Sequence, residues 1–366
     1  MVAKYFPTLE HMTYLNNAST GIPPVTMIDA VNKYLQNCIN ATGDFDDTKR
    51  MFTEIKDNLS VLFGGRPENY ALLPSTSDGL NSAAHSIKYP ERSNIVICDL
   101  EFPSNYIPWQ NVSRIYGPEL RVVRSNDGAA PLESYAKLID ENTKVVAVSH
   151  VQFASGYRSN LRNLARAVHD VGGYLVVDII QSAGCVDLDL VDLEVDFAAA
   201  QAAKWMLGPI GAGFLYVSDG IMDSVEPRFL GWWGVEGIDD FSYRERKPLP
   251  SASKFQIGSP PIMPYVGLLP VLKLLNKIPG ERRMATAMDR ADYLRGRLTE
   301  DGIGCYDFGN EHNSAIVSCA PNDVEVLEKR LMKLHIHCSV RSGRLRVSPH
   351  FYNSREDIDR LMEQIG

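Results

Sequence analysis

Apolar positions along this chain alternate between two textures. Largely apolar runs of strand length occur at Tyr70-Ala71-Leu72-Leu73, Asn94-Ile95-Val96-Ile97-Cys98, Leu120-Arg121-Val122-Val123 and Val145-Val146-Ala147-Val148. Three more start near Tyr174, Val195 and Gly213. Short runs of this kind, rich in β-branched residues, mark strands buried on both faces. Between them lie segments whose apolar residues recur every three or four positions: about 25–39, 48–63, 79–87, a stretch near Asn105, and 160–171. That spacing predicts amphipathic helices. Pro23 and Pro24 precede the first helix, and Gly64-Gly65 close the second, as helix-end chemistry prefers. Strands separated by helix-length segments predict a mostly parallel sheet covered on both faces.

The texture changes after about Asp219. An irregular section containing Gly231-Trp232-Trp233-Gly234 and Lys247-Pro248-Leu249-Pro250 runs to Pro264. Helical spacing returns over about 266–275 and 281–300. A strand at Ala315-Ile316-Val317-Ser318, a helix over 323–333, two strands around Cys338 to Val347, and a closing helix over 355–365 follow. The expected class is therefore α/β: a seven-stranded, mostly parallel large domain with a smaller α+β C-terminal domain. The expected division is an N-terminal arm over 1–25, a large domain over 26–265 and a small domain over 266–366.

Composition narrows the function classes. The chain has 366 residues, 45% hydrophobic and 22% charged, with a formal net charge of −8. An acidic balance without a basic run argues against nucleic acid as the main partner. No apolar run reaches bilayer-spanning length, and the mixed polar segment Met1 to His11 does not read as a signal peptide. Six cysteines are scattered without a CxxC pair, which points to a reducing cytoplasm without disulfides or zinc. His335-Ile336-His337-Cys338 has ligand types, and strand alternation would put His335 and His337 on one face, but no third and fourth ligand cluster nearby, so no metal centre is expected.

The candidate chemistry centres on two residues. Asp178 ends the strand run Tyr174-Leu175-Val176-Val177, where ligands bind in open α/β sheets. Lys204 follows a second apolar run and precedes Gly208-Pro209-Ile210-Gly211-Ala212-Gly213. A lysine in so apolar a run favours its neutral amine, because burial disfavours the ammonium. One such amine and one strand-end carboxylate are what pyridoxal 5'-phosphate requires: the amine forms a Schiff base with the aldehyde and the acid pairs with the ring nitrogen. Gln181 is placed to donate to the ring oxygen. Ser75-Thr76-Ser77 before a helix suits phosphate, and equally an ordinary N-cap. Phe102 and Trp109, just past a strand end, suit ring stacking or a core plug. Arg341, Arg344 and Arg346 each suit a carboxylate.

Taken together, Asp178-Ile179-Ile180-Gln181-Ser182, Lys204-Trp205-Met206-Leu207-Gly208-Pro209 and Arg346-Val347-Ser348 before Tyr352-Asn353 resemble the class V aminotransferase family of fold-type I pyridoxal phosphate enzymes. Cysteine desulfurases, C–S lyases and isopenicillin N epimerase-like proteins belong to that group. The resemblance runs from Tyr14-Leu15-Asn16-Asn17-Ala18 to Asp359. It implies that Lys204 is the Schiff-base lysine and Asp178 the partner of the ring nitrogen. Thr76, Ser77, Phe102, Gln181 and Gln201 would complete the cofactor site, with Arg346 and Asn17 on the substrate. It also implies a homodimer with active sites at the subunit interface.

Three positions depart from the desulfurase pattern. Phe102 stands where desulfurases carry a His. Gln201 and Ala203 replace a Ser and a His before the lysine. Val340-Arg341-Ser342-Gly343 turns directly into Arg344-Leu345-Arg346, with no Cys between. A persulfide-forming desulfurase is therefore disfavoured, and the expectation is a β-eliminating C–S lyase, with an aminotransferase or epimerase as alternatives. Two readings from other classes remain at this point: a nucleotide-dependent oxidoreductase using Gly208 to Gly213 as a phosphate loop, and a non-catalytic dimeric partner protein. Tyr106, Trp232 and Trp233 are unranked candidates for the substrate side-chain pocket.

Overall fold

The computed structural model describes residues 2–40, 44–242 and 245–365. In chain order, α1 (Val2–Tyr5) and a 3-10 turn lead to β1 (Thr13–Tyr14), α2 (Val25–Ile39) and α3 (Phe45–Phe63). Next come β2 (Tyr70–Leu73), α4 (Thr76–Ser86), β3 (Asn94–Cys98), α5 (Pro103–Tyr116), β4 (Glu119–Val123) and α6 (Leu132–Ala136). The large sheet is completed by β5 (Thr143–Ser149), α7 (Leu161–His169), β6 (Tyr174–Asp178), β7 (Phe197–Gln201) and β8 (Gly213–Val217). After an irregular stretch come α8 (Ile262–Asn276), α9 (Gly280–Glu300), β9 (Val317–Cys319), α10 (Val324–Lys333), β10 (Ile336–His337), β11 (Ser339–Arg341), β12 (Arg344–Val347) and α11 (Arg355–Ile365).

Seven strands form one sheet in the order β2-β8-β7-β6-β5-β3-β4, with β8 antiparallel to both its neighbours and the other pairs parallel. This is the expected sheet. Its inner strands are buried along nearly their whole length: all five residues of β3 and all five of β8 lie inside, and β5, β6 and β7 each have one partly buried residue. Each fully buried Val, Leu or Ile contributes about 1.5–3 kcal/mol of transfer free energy, so unbroken apolar runs specify the central strands. Helix α7 buries Leu161, Leu164, Ala165 and Val168, one stripe at helical spacing.

Three helix starts differ from expectation for identifiable reasons. Helix α3 begins at Phe45 rather than about 48, because Asp44 caps it, its Oδ1 accepting from the Asp46 amide at 2.8 Å. Helix α4 begins at Thr76 rather than Gly79, because Ser75 caps it by accepting from the Asp78 amide at 3.1 Å. Helix α8 begins at Ile262, before Pro264; a proline in the first turn forfeits an amide that has no intrahelical acceptor in any case. Helix α8 packs against α2 and α3, and its Leu268, Val271 and Leu272 join the core under the large sheet.

The second layer is a three-stranded antiparallel sheet, β11-β12-β9, with α9, α10 and α11 around a separate core that includes Leu294, Leu331, Leu345 and Leu361. The segment after β1 ties the two parts together. β1 pairs parallel with β10, and Asn16 bridges Ser348. Five residues on, the Gly21 amide donates to the Ala203 carbonyl at 2.8 Å. Among the described residues, no helix is long and apolar enough to cross a membrane.

Candidate active site

Strand ends bring the candidate residues to one edge of the large sheet. Asp178 is the last residue of β6 and Gln201 the last of β7. Ser149, at the end of β5, is in register with Asp178. Lys204 follows β7 by three residues, in a turn held by backbone hydrogen bonds. Ala202 donates to the Ala212 carbonyl, Leu207 to that of Lys204 and Gly208 to that of Ala202. Leu207 is left-handed at φ 58°, a conformation that costs a branched residue about 1–2 kcal/mol. Strain of this kind persists where the surroundings over-determine the backbone. Gly21 seals the turn from the other side: a Cβ there would lie 2.1 Å from the Lys204 carbonyl oxygen.

The electrostatics of the pair follow from burial. Asp178 is 2% exposed. Desolvation raises its carboxyl pKa, and the Ile180 amide, 2.9 Å from Oδ1, and the charge of Lys204 only partly oppose that. Lys204 is half-buried, and its ammonium is held below the usual lysine range by desolvation and by the charges of Arg346 and Arg341. The two groups are thus close enough to feel each other, and both are biased toward their neutral forms. Lys204 Nζ lies 5.7 Å from the centroid of the Phe102 ring. Phe102 keeps 41% of its surface open and is fixed edge-on against Phe153, with centroids 5.1 Å apart. Trp109 is a core residue: it is fully buried, and its indole nitrogen donates to Asn105 Oδ1 at 3.1 Å.

At the α4 end, Ser75 occupies the Asp78 amide and leaves the amides of Thr76 and Ser77 without intrahelical acceptors. Their positive end of the helix dipole suits an anion. Thr76 Oγ1 accepts from the Gln201 amide at 2.9 Å, joining the helix to the end of β7, and Gln201 Nε2 donates to the Pro74 carbonyl. Ser77 Oγ donates to Ser104 Oγ at 2.9 Å, which links the same end of α4 to the start of α5.

Arg346 comes to the site from the small sheet. It is 2% exposed and forms no ion pair among the described residues. Its Nη1 donates to the Phe153 carbonyl at 2.8 Å and its Nη2 to Ser19 Oγ at 2.6 Å, while its Nε has no partner. Burial and the neighbouring Arg341 charge push its pKa down to about 9. A buried guanidinium with an orphaned N–H has the chemistry to accept a carboxylate partner. Arg341 reaches the same Ser19 hydroxyl at 3.4 Å. Arg344 is turned away, donating to the Ser318 carbonyl and lying over the Tyr306 ring.

Gln181 and Asn17 are held by the protein itself. Gln181 Nε2 donates to the Ala18 carbonyl and its Oε1 accepts from Trp205 Nε1 at 2.9 Å, leaving one amide hydrogen. Asn17 donates to the Ser348 carbonyl and accepts from the Tyr352 hydroxyl at 2.6 Å, so its amide positions the N-terminal arm. Of the aromatic candidates for a side-chain pocket, Trp233 is buried against Phe45 and Phe52, Tyr106 packs on the core, and Trp232 is exposed.

Sequence reasoning missed three contributors. Glu101 is a buried carboxylate that accepts from the Ser149 amide and from Gln152 and Asn105. Its charge helps to raise the Asp178 pKa. Ser19 is the hydroxyl shared by the two arginines. His350, buried and neutral with its pKa held down to about 3, donates from Nε2 to the Trp205 carbonyl at 2.8 Å. A buried acid just past a strand end was a usable signal for Glu101. Nothing local marks Ser19 or His350, whose roles arise from packing between distant segments. Gly208 to Gly213 lie in the turn between the antiparallel strands β7 and β8, with no helix after them. That placement removes the nucleotide-loop reading, which requires a strand-to-helix turn.

The residues present fit a phosphorylated pyridine aldehyde: an amine of lowered pKa, a buried acid near enough to feel its charge, an open aromatic face and free helix-terminal amides. Comparison with known proteins agrees. A sequence model of the aminotransferase class-V family matches residues 13–361. An uncharacterized aminotransferase of Bacillus subtilis, YcbU, is 28% identical over 99% of this chain and 95% of its own length. A probable cysteine desulfurase of Methanothermobacter thermautotrophicus is 27% identical over 100% of this chain and 96% of its own. Among solved structures, the cystine C–S lyase C-DES in complex with its product cysteine persulfide shares the fold. Its TM-score is 0.89 at 21% identity, over 98% of each chain. The apo cysteine desulfurase of Thermococcus onnurineus gives a TM-score of 0.86 at 24% identity, over 99% of this chain and 96% of that one. The chain belongs to the class V aminotransferase family and is a pyridoxal phosphate-dependent enzyme.

Proposed function

We propose that this enzyme is a β-eliminating C–S lyase, acting at Cα of a sulfur-bearing amino acid. When bound, pyridoxal phosphate supplies a ring that takes up the electrons of a Cα bond. Lys204 would hold the cofactor's aldehyde and, once displaced by the substrate amine, carry the Cα proton; a lowered pKa suits both tasks. Asp178 would face the ring nitrogen and Phe102 the ring face. Thr76, Ser77 and Gln201 would frame the phosphate, and Gln181 would reach the ring oxygen with its remaining amide hydrogen. Arg346 would take the substrate α-carboxylate through its unpartnered Nε.

One observation separates this reading from a persulfide-relaying desulfurase. Strands β11 and β12 are joined by Ser342 and Gly343 alone, at φ 50° and 73°, with Arg341 paired to Arg344. So tight a hairpin presents no mobile thiol, and Cys338 beside it is buried. The relatives described as cysteine desulfurases and the C-DES fold favour sulfur chemistry over transamination and epimerisation, which begin with the same proton transfer. Screening the purified holoenzyme against cysteine, cystine and their analogues tests the proposal. Pyruvate with sulfide or persulfide as products supports it; keto-acid formation from the intact substrate skeleton, or racemised substrate, contradicts it.

A homodimer is part of the same proposal. Phe229, Leu230, Trp232 and Ile257 expose 68, 46, 44 and 53% of their surfaces in the stretch between β8 and α8. Phe229 and Ile257 also border a cleft of about 620 Å³ along α4, beside the phosphate-binding end. Clustered exposed apolar surface of this kind marks an interface, and size measurement in solution tests it. The domain division belongs here too. Because α8 packs with the large domain, we place the start of the small domain between Asn276 and Gly280.

A further inference from the structure

We propose that Cys305 and Cys319 form an oxidative cross-link site, a cross-strand disulfide at the base of the loop that clamps the small domain onto the active-site edge.

The two cysteines are antiparallel bridge partners. The hydrogen bonds flank the pair rather than joining it: Tyr306 donates to the Ser318 carbonyl at 3.0 Å and Ala320 to the Gly304 carbonyl at 2.8 Å. This is the narrow, non-hydrogen-bonded kind of pair, in which Cα atoms stand about 4.5 Å apart and both side chains leave the same face. That spacing lies within the disulfide range of about 4.4–6.8 Å. The common face is independently evident, since both residues pack on the core of the small domain. Cys319 is buried at the centre, with Sγ 3.5 Å from the Leu345 carbonyl, and Cys305 is half-buried at the edge. One thiol is therefore reachable and the other waits directly across from it.

The segment between them has a task. The backbone amide of Arg158 donates to the His312 carbonyl at 2.7 Å, and its guanidinium donates to the carbonyls of Asn310 and Glu311. Ser314 Oγ donates to the Gly156 carbonyl at 2.7 Å, and the rings of Tyr157 and His312 stack 5.0 Å apart. Residues 306–314 thus grip the segment that holds Phe153, whose carbonyl accepts from Arg346. A bond between Cys305 and Cys319 would close this loop at its base.

The chemistry balances with a low-molecular-weight disulfide as oxidant. The Cys305 thiolate attacks it, one small thiol leaves, and a mixed disulfide forms. The Cys319 thiolate then attacks Cys305 Sγ and expels the second small thiol. Two protein thiols lose two electrons and two protons, and the oxidant becomes two thiols. Burial raises both thiol pKa values, so the exchange is slow at neutral pH and faster in mild alkali.

The test incubates the holoenzyme with oxidised glutathione at mildly alkaline pH and maps the peptides without reduction. The expected product is a peptide pair linked through positions 305 and 319, lighter by two hydrogens. It should be absent in Cys305→Ser and retained in Cys38→Ser. The linked form should melt several degrees higher and resist proteolysis within 306–314. Cys305→Ser, at a half-buried edge position, keeps the test open if Cys319→Ser fails to fold. Glutathione left as a mixed disulfide on Cys305, a link from Cys319 to Cys338, or both thiols still free after prolonged oxidation would each overturn the proposal.

Discussion

His350 Nε2 donates to the carbonyl oxygen of Trp205, the residue after Lys204, across 2.8 Å. The Phe351 amide donates to His350 Nδ1 at 2.7 Å, which fixes the neutral tautomer. The Trp205 indole in turn orients Gln181, and Gln181 holds the Ala18 carbonyl. A line of hydrogen bonds therefore runs from the small domain through the lysine turn to the N-terminal arm.

That histidine gives a pH prediction. Its pKa is held down to about 3 in the folded protein by burial, against about 6.5 in the unfolded chain. Below pH 6.5 the unfolded state binds a proton that the folded state refuses, so stability falls as pH drops toward 3. The slope from one such histidine is about 1.4 kcal/mol per pH unit. His350→Gln should remove that slope from the stability curve between pH 6 and 4, measured by denaturant unfolding. An unchanged slope would show that His350 is already protonated in the native protein.

Gly21→Ala tests the docking of the arm. Its Cβ would meet the Lys204 carbonyl at 2.1 Å and a Leu207 methyl at 2.7 Å. Overpacking against backbone costs about 1–3 kcal/mol, and displacement of the lysine turn should lower kcat along with Tm. Full activity in this variant would mean that the arm does not set the position of Lys204.

Much of this arrangement was legible in the sequence, for local reasons. The runs ending in Asp178 and leading to Lys204 are continuous because parallel central strands are buried on both faces, and Ser75 announces a helix start by its hydroxyl. What the sequence did not disclose is non-local. Ser19 gathers Arg341 and Arg346 only because the arm crosses the small sheet. Glu101 lies near Asp178 only because β3, β5 and β6 are neighbours. Asn17 has the chemistry of a substrate ligand, yet its amide is engaged by Ser348 and Tyr352, which lie more than three hundred residues away.

Arg346→Met separates recognition from stability. Removing an uncompensated buried charge should leave Tm unchanged or higher. Loss of a charge-assisted carboxylate contact should lower kcat/KM by about 10–100-fold, equivalent to roughly 1.5–3 kcal/mol. Because Arg346 depresses the Lys204 pKa, its removal raises that pKa, and the rising limb of the pH–rate profile should move to higher pH. An unchanged KM and pH limb would place the substrate carboxylate elsewhere.

Asp178→Asn keeps the shape and an acceptor for the Ile180 amide, and it removes only the charge. Turnover should fall by about 10²–10³-fold, the usual loss when one preorganised electrostatic partner is deleted. Stability of the cofactor-free protein should not fall, since burial already disfavours the ionised carboxyl there. Wild-type turnover in this variant would remove Asp178 from the chemistry.

The most direct measurement is the site of covalent attachment. Incubating the purified protein with pyridoxal phosphate, reducing with borohydride and mapping the peptides should place the reduced cofactor on Lys204 alone, with none on Lys204→Ala. Label on another lysine, or no label together with retained turnover in Lys204→Ala, would contradict the account.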